Sequence, residues 1–426
     1  MKRSNFAVEV PARVLFVLVL LFFANGTALA LDNGRGHTPA MGWNAWNTFG
    51  CSVSEKLIKD IARTMVSSGL RDAGYKYLVL DDCWMGGRDE HGNLIANRTR
   101  FPSGMKALGA FIHSKGLLFG IYESPNTVTC AVIWSGYPAK LGTGSADHNQ
   151  QDAKTFASWG VDYLKYDHCR GDYDSFARMR DALRAAGRPI LYSINPEFGQ
   201  VARSRELPFL ANSARVGDDI FPKWQAVTRL IDEGSAYAML SKPGYFNDLD
   251  MLEVGNGMSQ AEDRAHFAMW AVLASPLLAG NDIRSMSPQT KAILENRELI
   301  AVDQDPLGVQ ATLADEPSST TQIWSRPLAG KRTYAIVLLN RGDRAVTIDV
   351  PWNWHVGFQG PARVRDLWTH KDLGVFDTGY SAVVQPHDAA AIKVTVVTGR
   401  RAHAAATAPH RLVRAPKTLH PAVPPA

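Results

Sequence analysis

Lys76-Tyr77-Leu78-Val79-Leu80-Asp81-Asp82 and Asp162-Tyr163-Leu164-Lys165-Tyr166-Asp167 share one pattern, a short apolar run of strand length that ends on a carboxylate. Ala211–Asp219 and Gly244–Asp250 repeat it, closing on Asp218-Asp219 and on Asn247-Asp248-Leu249-Asp250. Outward from these four, strand-like runs recur at Met41–Trp46, Leu117–Glu123, Pro189–Asn195 and Val272–Leu278. Segments with apolar residues at helical spacing separate many of them: Glu55–Leu70 (Leu57, Ile58, Ile61, Met65), Met105–His113, Asp152–Trp159, Phe176–Ala186 and Ala261–Trp270. Eight alternations between Leu31 and Asp305 predict a (β/α)₈ barrel. A doubly wound open sheet would alternate too, but no glycine-rich phosphate fingerprint follows the first strand.

Past Pro306-Leu307-Gly308 the period changes to two, with runs at Thr321–Ser325, Thr333–Leu339, Ala345–Val350, Ala362–Leu367 and Ala389–Val396 and a turn at Asn340–Asp343. The expected organisation is therefore a barrel over 31–308 and an antiparallel β-sandwich over 309–397. The last stretch, 398–426, is rich in Ala, Pro, Arg and His and is expected to be a disordered basic tail. Residues 1–30 read as a cleaved signal peptide: Lys2 and Arg3, the apolar run Val14–Ala24, then Ala28-Leu29-Ala30. Eleven apolar residues fall short of the ~20 that span a bilayer, so the expectation is a secreted or periplasmic protein without stable membrane insertion.

The chain has 426 residues, 46% hydrophobic and 20% charged, the balance of an ordinary folded protein. Its net charge of +5 comes from the ends: residues 1–30 carry +2 and residues 398–426 carry +5, which leaves −2 for the rest. Nucleic acid is therefore not the expected partner. Cys51, Cys83, Cys130 and Cys169 lack zinc-site spacing, and an even count in an exported chain favours disulfides, with three pairings open.

In a barrel the C-terminal strand ends converge on one mouth. Asp is common at strand ends for turn and capping reasons alone, but four such ends at one mouth would repel one another and lose hydration, with Lys165 and Arg215 among them. That arrangement points to function. Paired carboxylates beside cations and aromatic side chains (Trp43, Trp84, Tyr122) suit glycoside hydrolysis, which needs one carboxylate as nucleophile or base and a second as a proton donor of raised pKa. A Ca²⁺ or Mg²⁺ site would need six to eight convergent oxygens, and the cations oppose it, so neither a metal nor an organic cofactor is expected.

Thr38-Pro39-Ala40-Met41-Gly42-Trp43-Asn44, Leu80-Asp81-Asp82-Cys83-Trp84, Gly120-Ile121-Tyr122, Lys165-Tyr166-Asp167, Asp248-Leu249-Asp250-Met251-Leu252 and Asp303–Gly308 resemble the α-galactosidases of glycoside hydrolase family 27, the melibiase group. The resemblance runs from about Leu31 to Val397. It implies a (β/α)₈ barrel with a C-terminal β domain and a retaining exo-glycosidase acting on terminal α-D-galactose. It further implies Asp167 as nucleophile and Asp219, four residues after Arg215, as acid/base, in preference to the adjacent Asp218. Asp81 and Asp82 would grip sugar hydroxyls, with Trp43, Tyr122, Lys165, Arg215 and Asp250 completing the pocket. The implied disulfides are Cys51–Cys83 and Cys130–Cys169.

The chain departs from the family pattern in two places. Ser193-Ile194-Asn195-Pro196-Glu197 replaces a Cys-Glu-Trp or Cys-Ser-Trp type segment, and Ala214 stands where a Trp usually precedes the Arg. Asn195 would then be an uncharged partner for a 2-hydroxyl, and loss of the Trp would open the pocket to other leaving groups. The alternatives are another glycone within the family, β-L-arabinopyranose or α-N-acetylgalactosamine, and a non-catalytic sugar-binding barrel. His168, on the opposite face of its strand from Asp167, is expected to support rather than react.

Overall fold

The computed structural model describes residues 31–196 and 203–397; the expected signal segment, Glu197 and the basic tail lie outside the described residues. Eight strands form the first sheet: β1 Met41–Asn44, β2 Tyr77–Leu80, β3 Leu118–Glu123, β4 Tyr163–Asp167, β5 Leu191–Asn195, β6 Ser213–Arg215, β7 Phe246–Asp248 and β8 Leu277–Ala279. All pair in parallel, in the order β8-β1-β2-β3-β4-β5-β6-β7. A parallel bridge between Leu252, just beyond β7, and Ala279 of β8 closes the ring. β1 and β2 approach so closely that a Cβ on Gly42 would lie 2.1 Å from the Tyr77 carbonyl oxygen, which is why glycine sits there.

Strand alternation divides the barrel into two layers. Ala40, Val79, Tyr163, Leu191, Met251 and Leu278 pack together inside the ring. Leu78, Leu80, Leu164, Tyr166, Tyr192, Ile194 and Ala214 face outward, onto helices such as Glu55–Ser67 (Ile58, Ile61, Met65), Asp174–Ala185 (Phe176, Met179) and Trp224–Ser235 (Val227, Leu230, Ile231). Asp81 therefore shares the inward parity of Val79, and Lys165 and Asp167 share that of Tyr163.

The expected strand Val272–Leu278 is strand only at its last two residues, Leu277 and Leu278. The helix Gln260–Val272 runs to Val272, Ala274 takes a φ of 52°, and β8 begins only at Leu277. The run is buried throughout, and a continuous apolar stretch does not distinguish the two periods. A hairpin, Met85–Arg88 with Leu94–Ala96, also follows β2.

Eight further strands follow: β9 Thr312–Ser318, β10 Thr321–Leu328, β11 Thr333–Asn340, β12 Val346–Pro351, β13 Ala362–Asp366, β14 Lys371–Phe376, β15 Gly379–Val384 and β16 Ala389–Val396. They form an antiparallel six-stranded sheet, β9-β10-β11-β16-β13-β14, and a two-stranded one, β12-β15. Both faces of the large sheet are covered. Ile336 and Leu338 pack with Ile348, Val350 and Val384 of the small sheet, whereas Ala335, Val337 and Leu339 join the core shared with the barrel. Buried Arg326 donates to the Ala271 carbonyl oxygen at 2.8 Å across this junction. The turn at Asn340–Asp343 joins strands of different sheets rather than a hairpin, with Asn340 Nδ2 bonded to the carbonyls of Arg344, Val384 and Gln385.

Candidate active site

The C-terminal ends of the barrel strands open into a cleft of about 1090 Å³. Its lining includes Asp81, Asp82, Tyr122, Lys165, Asp167, Asn195, Arg215, Asp219 and Asp250, which the sequence places on six segments far apart in the chain.

At the floor, Asp81 Oδ2 accepts from Lys165 Nζ at 2.8 Å and from Asn44 Nδ2 at 2.8 Å, while its Oδ1 accepts from the Asp82 amide at 2.8 Å. Asp82 Oδ2 accepts from the Ala131 amide at 2.8 Å, and Cys83 takes a φ of 72° to turn the chain away after the pair. Burial pushes Asp82 up to about 6 despite those amide donors. Lys165 lies 5.4 Å from the Tyr122 ring centroid. Burial disfavours its charge, but the carboxylates of Asp81 and Asp167 outweigh burial and hold the ammonium charged.

Asp167 ends β4, and Asn195, its register partner on β5, donates Nδ2–H to Asp167 Oδ1 at 3.0 Å. Burial raises Asp167 to about 6; Lys165 opposes that rise, and Asp219 and Asp81 add to it. Cys169 and Arg170 then adopt φ of 43° and 64°, reversing the chain, and the Cys130–Cys169 disulfide fixes the reversal. Asp167 also lies near these two sulfurs, but sulfurs joined in a disulfide offer no thiolate to a metal.

Arg215, buried at the end of β6, reaches Asp219 Oδ1 at 3.1 Å and Asp250 Oδ2 at 3.2 Å. Asp250 sits at φ 76°, held by its own amide on Asp248 Oδ1 at 2.8 Å and by the Ile220 amide on its Oδ2 at 2.9 Å. Asp219 stands at the rim with 69% of its side chain exposed. What burial it has would raise it, but Arg215 and Lys165 outweigh that, so its carboxyl lies below the ordinary range. Asp218 turns outward to Arg229, 2.9 Å away, while Asp219 turns inward to Arg215. Of Asp167 and Asp219, then, it is the deeper Asp167 that is raised and the rim acid that is lowered.

The structure revises three expectations. Trp43 shares the outward parity of Met41, is fully buried, and donates Nε1–H to the Asn281 carbonyl at 2.8 Å, away from the cleft. Trp46 and Phe49 line the cleft instead. The alternation Ala40-in, Met41-out, Gly42-in, Trp43-out carried that signal, since it assigns Trp43 to the outer layer. Trp84 is also fully buried, its Nε1–H on the Tyr122 carbonyl at 2.8 Å. Ala214, between inward-facing Ser213 and Arg215, belongs to the outer layer, so the absent Trp does not enlarge the cleft by that route. Trp134 and Phe221, at the rim and 58% and 60% exposed, were not singled out from sequence. His168 lines the cleft with Nδ1 accepting from the Arg170 amide at 3.0 Å.

A concave mouth of inward carboxylates, each beside a donor or cation, on a parallel eight-stranded barrel defines a glycoside hydrolase of the (β/α)₈ class. The comparisons narrow this. A family model described as "Alpha galactosidase A" matches residues 38–305, and one described as "Alpha galactosidase C-terminal beta sandwich domain" matches 318–394. An α-galactosidase of Oryza sativa is 44% identical over 84% of this chain and 85% of the relative, and α-galactosidase A of Cellvibrio japonicus is 46% identical over 75% and 80%. The crystal structure of α-galactosidase I from Mortierella vinacea superposes with a TM-score of 0.79 at 36% identity, covering 86% of this chain and 98% of that one. The chain belongs to the α-galactosidase (melibiase) family, glycoside hydrolase family 27.

Proposed function

We propose that this protein is a retaining exo-α-galactosidase in which Asp167 is the nucleophile and Asp219 the acid/base. The observation that carries the assignment is that both carboxylates line one cleft and are linked through Arg215 and Lys165, with Asp167 at the floor and Asp219 at the rim. A terminal sugar seated on the floor exposes its anomeric carbon to Asp167 and its leaving oxygen to the rim acid.

Asp81, Asp82 and Asp250 are already paired with donors and cations, so they offer fixed acceptors to hydroxyls of a neutral sugar. Asn195 keeps one Asp167 oxygen oriented and leaves the other to attack. Substrate over the rim removes water from Asp219 and raises its proton affinity, which suits proton donation to the departing oxygen. Once Asp167 is esterified its negative charge is gone, Asp219 becomes more acidic, and it can take a proton from the water that frees the sugar.

Purified protein tested on nitrophenyl α-galactoside, β-L-arabinopyranoside and α-N-acetylgalactosaminide should prefer the first, with the α-anomer of galactose appearing first by NMR. First appearance of the β-anomer would rule out retention. A preference for another glycone would move the substrate assignment but not the roles of the two acids.

A further inference from the structure

Two large aromatic side chains stand unburied at the rim of the cleft, Trp134 with 58% of its surface exposed and Phe221 with 60%. Single exposed apolar residues are common on a protein surface, but these two share one mouth, and each is carried by a segment fastened beside one of the two acids assigned above. Trp134 ends the helix Cys130–Trp134, which the Cys130–Cys169 disulfide ties to the turn after Asp167. The guanidinium of Arg170, in that turn, lies over the Trp134 ring at 5.6 Å from its centroid. Phe221 follows Asp219 by two residues and is held from both sides: the Ile220 amide donates to Asp250 Oδ2 at 2.9 Å, and the Lys223 amide to the Phe221 carbonyl oxygen at 2.7 Å. The contacts that place the acids therefore place the rings as well. Neither ring belongs to the motifs that carry the family resemblance.

Position and chemistry together select the occupant. The cleft, at about 1090 Å³, exceeds the roughly 300–1,000 Å³ of small-molecule sites, so one sugar at its floor leaves the rim unfilled. With that sugar against Asp167 and its leaving oxygen at Asp219, the atoms beyond the oxygen emerge at the rim, where Trp134 and Phe221 stand. An aromatic face is electron-rich and attracts the weakly positive C–H bonds of a ring laid on it. Ser135 and the paired Arg229 and Asp218, 2.9 Å apart, line the same rim and offer donors and acceptors to hydroxyls. Apolar faces with polar neighbours match a pyranose, which has a C–H face and a hydroxyl edge; an alkyl or aryl group has no such edge. Building on the glycosidase reading of the cleft, we infer that Trp134 and Phe221 form the contact surface for the leaving group and select substrates in which that group is a pyranose unit.

Both rings are more than half exposed, so truncating them leaves the core packing untouched. Trp134→Ala and Phe221→Ala are to be compared with the parent on melibiose, a galactosyl-glucose disaccharide, and on methyl α-galactoside, whose leaving group is too small to reach the rim. The ratio of kcat/KM for the disaccharide to that for the methyl glycoside should fall about fivefold or more in each variant, and Trp134→Phe, which keeps an aromatic face, should restore most of it. Equal losses on both substrates, or a ratio within twofold of the parent's, overturns the inference. A measurement independent of turnover uses the Asp167→Asn protein: calorimetry should show melibiose bound more tightly than methyl α-galactoside, an advantage that adding Trp134→Ala or Phe221→Ala removes. Absence of that advantage, or its survival in the double variants, also overturns it. Failure of the parent to cleave methyl α-galactoside would instead strike the reading of the cleft.

Discussion

Asn195 Nδ2 donates to Asp167 Oδ1 at 3.0 Å, across two adjacent parallel strands whose register makes these residues direct partners. The amide orients the carboxylate without adding charge beside one that burial already disfavours. Asn195→Ala removes a hydrogen bond to a charged group, worth roughly 1.5–3 kcal/mol, so kcat/KM should fall about 10–100-fold with folding preserved. Activity within twofold of the parent would show that Asp167 is held by other contacts.

Asp167→Asn and Asp219→Asn are each expected to lose nearly all turnover, roughly 10³-fold or more, on an α-galactoside with a poor leaving group. They should differ on an activated substrate. With dinitrophenyl α-galactoside, whose leaving group needs no proton, Asp219→Asn should regain much of the first step and show a burst, whereas Asp167→Asn should not. A tenth of parental activity on the poor substrate in either variant would remove that residue from its assigned role.

Burial raises Asp167 to about 6 from an ordinary 3.8, and this has consequences for both activity and stability. The attacking form is the carboxylate, so kcat/KM should fall on an acid limb near pH 6. The folded protein holds this proton where the unfolded chain has lost it; its stabilising effect is therefore full below about pH 4 and is lost as pH rises through about 6. Asp167→Asn is neutral throughout, so its Tm should exceed the parent's by a few degrees at pH 7 and converge with it near pH 4, as calorimetric scans would show. A lower Tm for the variant at pH 7 would contradict this sign.

Trp43 and Trp46 are three residues apart and should fail differently. Trp43→Ala empties a fully buried site and should cost about 3–5 kcal/mol of stability in a denaturant titration. Trp46→Ala trims the cleft wall, and should raise KM with a much smaller stability loss. The reverse pattern would restore Trp43 to the sugar.

The Cys130–Cys169 bond ties the segment whose Ala131 amide holds Asp82 to the turn that follows Asp167. Cys130→Ser with Cys169→Ser should lose about 2–4 kcal/mol of stability and weaken galactose inhibition, because Asp82 and Asp167, two acids of the cleft, lose their common tie. Unchanged inhibition would confine the bond to stability.

Much of the barrel was legible because short apolar runs alternate with segments of helical spacing and four of them close on acids. The places where reading failed share a cause. Val272–Leu278 is buried on every side, so neither period shows in it. Trp43 and Trp84 are aromatic, near the acids in sequence and inside a family motif, but only the parity of their strands or the destination of their indole N–H directs them away from the cleft. Trp134 ends the five-residue helix Cys130–Trp134, too short to show a period, and Phe221 lies on a connection, where no periodicity announces a side chain's direction.

The sequence alone determined the alternating barrel, the β domain, the cysteine count and the carboxylates at the strand ends, because these follow from local periodicity and residue chemistry. Tertiary structure decided which carboxylate is deep and proton-retaining and which is exposed and held by Arg215. It also decided that Trp46 and not Trp43 lines the cleft. Desolvation, charge proximity and hydrogen-bond pairing depend on distances between strands that are remote in the chain, and those distances exist only once the ring has closed at Leu252 and Ala279.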